Sequence, residues 1–440
     1  MARRRFVLGL VAIAAVAFLL RDVYIVTVTR NRTISFDEFY YAGEARNLVA
    51  GDGFDLPRAG TLALGAGAHP PLTGVMLVPA AWLLDGDVAM RFTTALAGVG
   101  VVVLIGLIAR KLGGPRAGLL AAGIAAVYPN LWMNDGLVLA ESFTALATAA
   151  VILLTYRLLR EPTWKTAAGA GLACAAAMLS HGELAVLLPL LVVPALLVTK
   201  GLTAARRMLL VAVAVVAAAL AVAPWEAYLL SRYEEPTFLS YGDGGVVGGA
   251  NCDATYSGPF IGHWIGLCAP SHGEPSVAAA RNRRRGFDYM KSHLTRLPVV
   301  ATARVGRLWS VYRPFQTADL NESEGRPKWA SLTGWAMFWP LVGLAVAGIV
   351  ILRRRRVTLW PLVVPIVVVT LDAAGFYGLV RFRVPAEVPI VVLAATGLEA
   401  VVTRRRRVGS RRQALGDGTE VVDEVRELDL APVVVGAQDR

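Results

Sequence analysis

Runs of about 18 or more apolar residues recur along this chain, and each can cross a hydrocarbon core of roughly 30 Å as a helix. With 56% hydrophobic and 17% charged residues over 440 positions, the chain has too little charge to solvate a soluble protein of this length. The expected fold class is therefore an all-α polytopic membrane protein of about ten transmembrane helices. The runs fall near 6–26, 91–109, 117–133, 136–156, 166–180, 184–199, 207–224, 335–352, 358–377 and 385–402. Residues 1–26 resemble a secretory signal, with a basic start and an apolar stretch from Phe6 to Leu20. The run continues past Arg21-Asp22 without a small-residue cleavage site, so it is read as an uncleaved first helix.

The net charge of +12 raises the question of nucleic acid. The arginines answer it by their placement: Arg3 to Arg5, Arg353 to Arg356 and Arg404 to Arg407 each flank an apolar run directly. That is the positive-inside signal, and it orients those ends toward the cytoplasm and its anionic leaflet. No nucleic-acid partner is expected. Both termini are then cytoplasmic, in a cytoplasmic (plasma) membrane. A long first outer loop covers 27–90. Within it, 72–84 is apolar but too short to span, and reads as an interfacial or re-entrant helix. Counting it as a span would put Lys111, Arg157, Arg206 and Arg207 outside, against the charge rule. The chain divides into a transmembrane module 1–224, a larger outer segment 225–333, further transmembrane helices 334–402 and a disordered cytoplasmic tail 403–440.

Two of the three cysteines, Cys252 and Cys268, lie in the outer segment, sixteen positions apart. On an oxidising side they can form a disulfide, or remain a free, inert pair. Cys174 sits in an apolar run and reads as a small core residue. No Cys/His spacing suits a zinc site.

The outer ends of the runs carry polar groups. Asp37 and Glu38 follow the first helix. Near a low-dielectric boundary their pKa values can be raised and pushed apart, leaving one as a general base; the plainer reading is an N-cap with acids in the first helical turn. Tyr40 and Tyr41 come next. His69-Pro70-Pro71-Leu72 is a rigid approach to the interfacial helix, and His69 can donate to a phosphate oxygen or be only a loop residue. Arg91 opens the second long helix and can snorkel to headgroups. Glu141 lies about a turn and a half below an outer turn in apolar sequence, where an acid is costly and a functional candidate; it can equally pair with an arginine such as Arg91. His181 and Glu183 form a turn between two helices. Arg381 and Arg383, before the last helix, are outer arginines that ask for an anionic partner such as a lipid-linked phosphate.

Asp37-Glu38 with Tyr40-Tyr41, then His69-Pro70-Pro71-Leu72, then Gly86-Asp87 and Arg91-Phe92, closed by Arg381-Phe382-Arg383-Val384-Pro385, resemble the polyprenyl-phosphate-dependent glycosyltransferases of the GT-C fold. The protein O-mannosyltransferase and lipid A aminoarabinose transferase groups are the most similar. The resemblance covers the first 200 residues and, loosely, the last 60; the outer segment has no counterpart.

It implies a GT-C-like bundle with Asp37 as catalytic base and Glu38 as second choice. Tyr41, His69, Arg91, Arg381 and Arg383 would bind donor phosphate or substrate, with Glu141, His181 and Glu183 lining the cavity. Relatives often carry Arg before the acid at the turn where this chain has His181-Gly182-Glu183, which leaves the role of His181 open. The implied reaction is inverting transfer of a sugar from a polyprenyl-phosphate donor to a hydroxyl of a glycan, lipid or protein acceptor, on the extracytoplasmic face. No cofactor is expected, and a divalent metal is left open. Two other classes compete. A transporter or lipid flippase would carry an internal repeat and mid-membrane polar residues, and a scaffold would tolerate loss of the polar cluster.

Overall fold

The computed structural model describes residues 2–54, 66–84 and 86–416, with side chains at all of these except Ala2, Phe36 and 404–416. The helices, in order, are α1 (Ala2–Tyr24), α2 (Phe36–Ala50), α3 (Leu72–Leu84), α4 (Asp87–Gly113), α5 (Pro115–Val127), α6 (Pro129–Asp135), α7 (Glu141–Leu158), α8 (Trp164–Ser180), α9 (Val193–Val198) and α10 (Ala204–Arg232). The segment that follows adds α11 (Asp243–Ala250), α12 (Asp253–Tyr256), α13 (Pro275–Ser292), α14 (Leu297–Leu308) and α15 (Pro314–Ser323). The chain returns as α16 (Lys328–Arg354), α17 (Trp360–Gly375) and α18 (Val384–Gly416).

It is an all-α multi-pass membrane protein, and no strand is formed among the described residues. Among the described residues six helices are long and apolar enough to cross a membrane: Arg3–Thr29, Asp87–Gly113, Glu141–Leu158, Ala204–Arg232, Lys328–Arg354 and Val380–Thr403. Four shorter apolar helices accompany them. Large apolar side chains point outward, among them Leu8, Leu19, Leu220, Leu371 and, on α3, Trp82, Leu83 and Leu84, as a lipid-facing surface requires. The chain up to Glu399 is one compact unit; the part beginning at Ala400 is, as far as it is described, helix alone. Of the expected tail, 404–416 is helical backbone and 417–440 lies outside the described residues.

Three expected spans are broken, each for a local reason. The run 117–133 divides at Tyr128, held extended (φ −77°, ψ 114°) by the following Pro129. The run 136–156 becomes helix only at Glu141, so that residue opens α7 rather than lying below the turn; an acid in the first turn suits the helix dipole. The run 184–199 carries Pro189 and Pro194 and forms a 3₁₀ turn (Gly182–Val186), a wide π turn (Leu188–Val192) and the short α9.

The core lies where α4 packs against α1, α5 and α7. α16 and α18 approach closely through glycines. A Cβ at Gly348 would overlap the Leu393 carbonyl, and one at Gly397 the Leu344 carbonyl. Gly397→Val is expected to lower the thermal midpoint in detergent, at a cost of about 1–3 kcal/mol. Gly343→Ala, which meets nothing within 4 Å, should leave the midpoint nearly unchanged in the same thermal-shift assay.

Candidate active site

α2 starts at Ser35 with a capping box: the Ser35 amide donates to Glu38 Oε2 at 2.8 Å. Arg32 binds the same oxygen. Glu38 Oε1 accepts from the Val138 amide at 3.1 Å, with Arg91 Nη2 at 4.0 Å. Arg91 is itself buried and donates to the carbonyls of Thr29 and Arg32. Glu38 and Arg91 thus tie together the exit of α1, the start of α2, the start of α4 and the turn before α7. The sequence reading offered Glu38 as a second base and Arg91 as a phosphate ligand. Both oxygens of Glu38 and both terminal nitrogens of Arg91 are engaged in holding the loop, while Arg91 Nε has no hydrogen-bond partner among the described residues.

Glu38 faces inward, and its neighbour Asp37 opens onto a different cluster. Asp37 Oδ2 accepts from Arg381 Nη2 at 2.7 Å, and Oδ1 lies 3.8 Å from His69 Nε2. Tyr40 and Tyr41 flank the His69 ring, with centroids 5.0 and 5.4 Å away. Arg381 also reaches Glu141 Oε1 (3.5 Å) and Glu324 Oε2 (3.8 Å). Arg326, fully buried, closes the network. Its Nη1 donates to Glu324 at 2.8 Å, its Nε to Asn134 Oδ1 at 2.8 Å, and its Nη2 lies 3.5 Å from Glu141. Beyond Arg381 stands Phe382, its ring 4.8 Å from the guanidinium. Next come His181 (5.8 Å from Phe382) and its partner Glu183, at 2.9 Å from His181 Nδ1.

The structure therefore brings together Asp37, Tyr41, His69, Glu141, His181, Glu183 and Arg381. Arg383 is not with them. Two positions beyond Arg381 in a tight 3₁₀ turn, it is fully buried on another side, bound to Glu387 (2.7 Å) and the Leu308 carbonyl (3.0 Å) under Phe338. Arg383 thus lies in a core ion pair, with its Nη2 buried and without a hydrogen-bond partner among the described residues. Glu324 and Arg326 were missed by the sequence reading. Their signal was there: Glu324-Gly325-Arg326-Pro327 is a charged approach to a helix, like Arg381 to Pro385, but it lay in the segment without a recognised pattern.

The segment between α10 and α16 holds the Arg381 turn in place. Arg304, fully buried, donates to the Ala374 and Gly375 carbonyls at the end of α17 and to the Ala250 carbonyl and Asn251 Oδ1. The Gly378 amide donates to the Gly262 carbonyl at 3.0 Å. Cys252 and Cys268 are joined by a disulfide across the loop that contains Gly262.

The electrostatics differ from the expected raised carboxylate. Burial alone would raise the Asp37 pKa, but the Arg381 guanidinium, then His69, overcome it and hold the carboxyl at about 2. Burial lowers the pKa of His69 and favours the neutral ring. Burial would do the same to His181, but the Glu183 carboxylate lifts it to about 9. Among the described residues no group of three or more His, Cys, Asp or Glu side chains is placed to hold a metal ion.

The structure is similar to that of the archaeal oligosaccharyltransferase AglB from Archaeoglobus fulgidus in complex with an inhibitory peptide and a dolichol-phosphate. The TM-score is 0.53 and the identity 14%, over 95% of this chain and 52% of that one. The chain has the GT-C fold. The apo form of the Archaeoglobus fulgidus oligosaccharyltransferase gives a TM-score of 0.54 at 14% identity, covering 94% of this chain and 52% of the other. This GT-C chain thus spans about half the length of those enzymes. ArnT from Cupriavidus metallidurans bound to undecaprenyl phosphate gives 0.45 at 18% identity, over 90% and 77%. The family model of dolichyl-phosphate-mannose-protein mannosyltransferases matches residues 68–228. No curated protein matches the chain in sequence.

Proposed function

We propose that this protein is an inverting glycosyltransferase that moves a sugar from a polyprenyl-phosphate donor to an acceptor hydroxyl on the extracytoplasmic face. The observation that carries the reading is the meeting of Asp37 and Arg381 at 2.7 Å, with His69, Glu141, Glu324 and Arg326 around them. One point of the site holds a base and an anion receptor. Arg381 Nε, Arg326 Nη2 and Glu141 Oε2 are buried there without a hydrogen-bond partner among the described residues, a cost that a phosphate and sugar hydroxyls would relieve. The fold and the mannosyltransferase family match support the same class.

The side follows from charge. The cluster sits at the end of α1, the starts of α7 and α18 and the ends of α8 and α17. The opposite ends carry Arg3 to Arg5 on α1, Arg110-Lys111 on α4, Arg157 on α7, Lys165 on α8, Arg206-Arg207 on α10 and Arg353-Arg354 on α16. By the positive-inside rule those ends are cytoplasmic, and the cluster is outside.

In the reaction, Asp37 takes the acceptor proton and the acceptor oxygen attacks the anomeric carbon from the side opposite the phosphate. The carbon–oxygen bond to phosphate breaks with its electrons on the leaving oxygen, and configuration inverts. The donor diester carries one negative charge and the released monoester two. Arg381 and Arg326 favour the state in which that charge develops. A carboxyl held at about 2 is a weak base while Arg381 grips it. A donor phosphate drawing Arg381 away would restore its basicity as the donor arrives. Mass spectrometry of envelope glycans from a gene-deletion strain should show one missing sugar, restored by the wild-type gene; an unchanged glycan profile would refute the proposal.

A further inference from the structure

We infer that Trp264 and Tyr377 form a stacking platform for a saccharide ring of the acceptor, at the mouth of the site. The inference rests on the glycosyltransferase reading and narrows its acceptor to a carbohydrate. An aromatic wall leaves the Asp37–Arg381 pair. Phe382 lies beside Arg381, Tyr377 meets Phe382 edge-on at 5.2 Å and 89°, and Trp264 meets Tyr377 at 6.3 Å with planes 34° apart. The donor's anomeric carbon must sit at Asp37 and Arg381. A ring two aromatic contacts away from that pair is placed for the other partner, the acceptor.

Trp264 is held in one place and stays partly exposed. Its Nε1 donates to the Gly245 carbonyl at 2.9 Å. A Cβ at Gly249 would overlap the indole, so glycine is needed for the ring to lie there. The following residue is fixed by Ile265 N to Gly249 O at 3.0 Å, and the loop is closed by the Cys252–Cys268 disulfide. So held, the ring is still 37% exposed. A tryptophan anchoring the protein at a membrane interface uses its N–H toward headgroups and water; here that donor is spent inside the protein. Rigid, tilted aromatic faces fit the C–H face of a pyranose, at little entropic cost because the rings are already ordered.

The test uses the full chain in detergent with methyl α-mannopyranoside and methyl β-galactopyranoside, and mannitol as an open-chain control. Saturation-transfer NMR should show contact from protein aromatic protons to ring C–H protons, with none to mannitol. Trp264→Ala should weaken pyranoside binding about ten-fold, the scale of one aromatic stack, and Trp264→Phe should restore most of it. In a transfer assay Trp264→Ala should raise the acceptor KM more than the donor KM. Absence of pyranoside contact in the wild type, or equal binding by Trp264→Ala, would overturn the inference. So would quenching by brominated lipid of the fluorescence that Trp264→Phe removes, since it would place the ring in the bilayer. The two readings separate: pyranoside binding lost in Trp264→Ala without any glycosyl transfer sustains the platform and sinks the enzyme, whereas transfer with an unaltered acceptor KM does the reverse.

Discussion

Asp37→Asn is expected to reduce sugar transfer by about 10³-fold or more, while the protein still inserts and keeps its thermal midpoint within a few degrees. Asn preserves the shape of the side chain and loses only the charge and basicity. Arg381 keeps Glu141 and Glu324 as partners, so no buried cation is stranded. Glu38, one position on, cannot take over, because both its oxygens are engaged by Ser35, Arg32 and Val138. Glycosyl transfer in proteoliposomes, beside size-exclusion and thermal-shift profiles, checks both halves. The pH behaviour has a definite sign. The folded-state pKa of Asp37 is depressed from 3.8 to about 2, so the ion pair stabilises the fold above the unfolded value and that contribution is lost as pH falls from about 4 toward 2. Asp37→Asn should abolish that part of the acid-side loss.

Arg381→Gln carries the second large effect, a fall of about 10²–10³ in kcat with weakened donor binding. The arginine faces three carboxylates, and its loss leaves Asp37 with His69 and the more distant Arg326. The Asp37 pKa then rises toward the ordinary carboxylate range. The residual activity of the variant should therefore show an acid limb at higher pH than the wild type, measured as kcat/KM from about pH 4 to about pH 8. Arg381→Lys should recover only part of the loss, since a single ammonium cannot reproduce the fork that spans Asp37 and Glu141. An arginine with a purely structural role would lower stability without moving the pH profile.

Much of the fold was legible because lipid imposes a coarse code. Apolar runs of spanning length with arginines at one end need no tertiary context, and α1, α4, α10, α16 and α18 follow them closely. The misses came where one proline outweighed hydropathy: Pro129 splits α5 from α6, and Pro189 and Pro194 break the run after Glu183. Within the site, residue type and position brought out Asp37, His69, Glu141, His181, Glu183 and Arg381. Direction did not follow from sequence. Adjacent Asp37 and Glu38 face different surroundings, and Arg381 and Arg383 part within a single 3₁₀ turn, so only one of each pair reaches the cluster. Arg326 was hidden because its partners Asn134 and Glu141 lie nearly two hundred positions away, beyond any local pattern.

The most direct measurement of the central claim is an assay of purified wild-type protein in proteoliposomes with a panel of radiolabelled polyprenyl-phosphate sugars. It follows the lipid product and the anomeric configuration of the transferred sugar. One donor should yield polyprenyl phosphate in step with a glycoside of inverted configuration. Retained configuration, or no turnover of any donor by protein that binds polyprenyl phosphate, would contradict it.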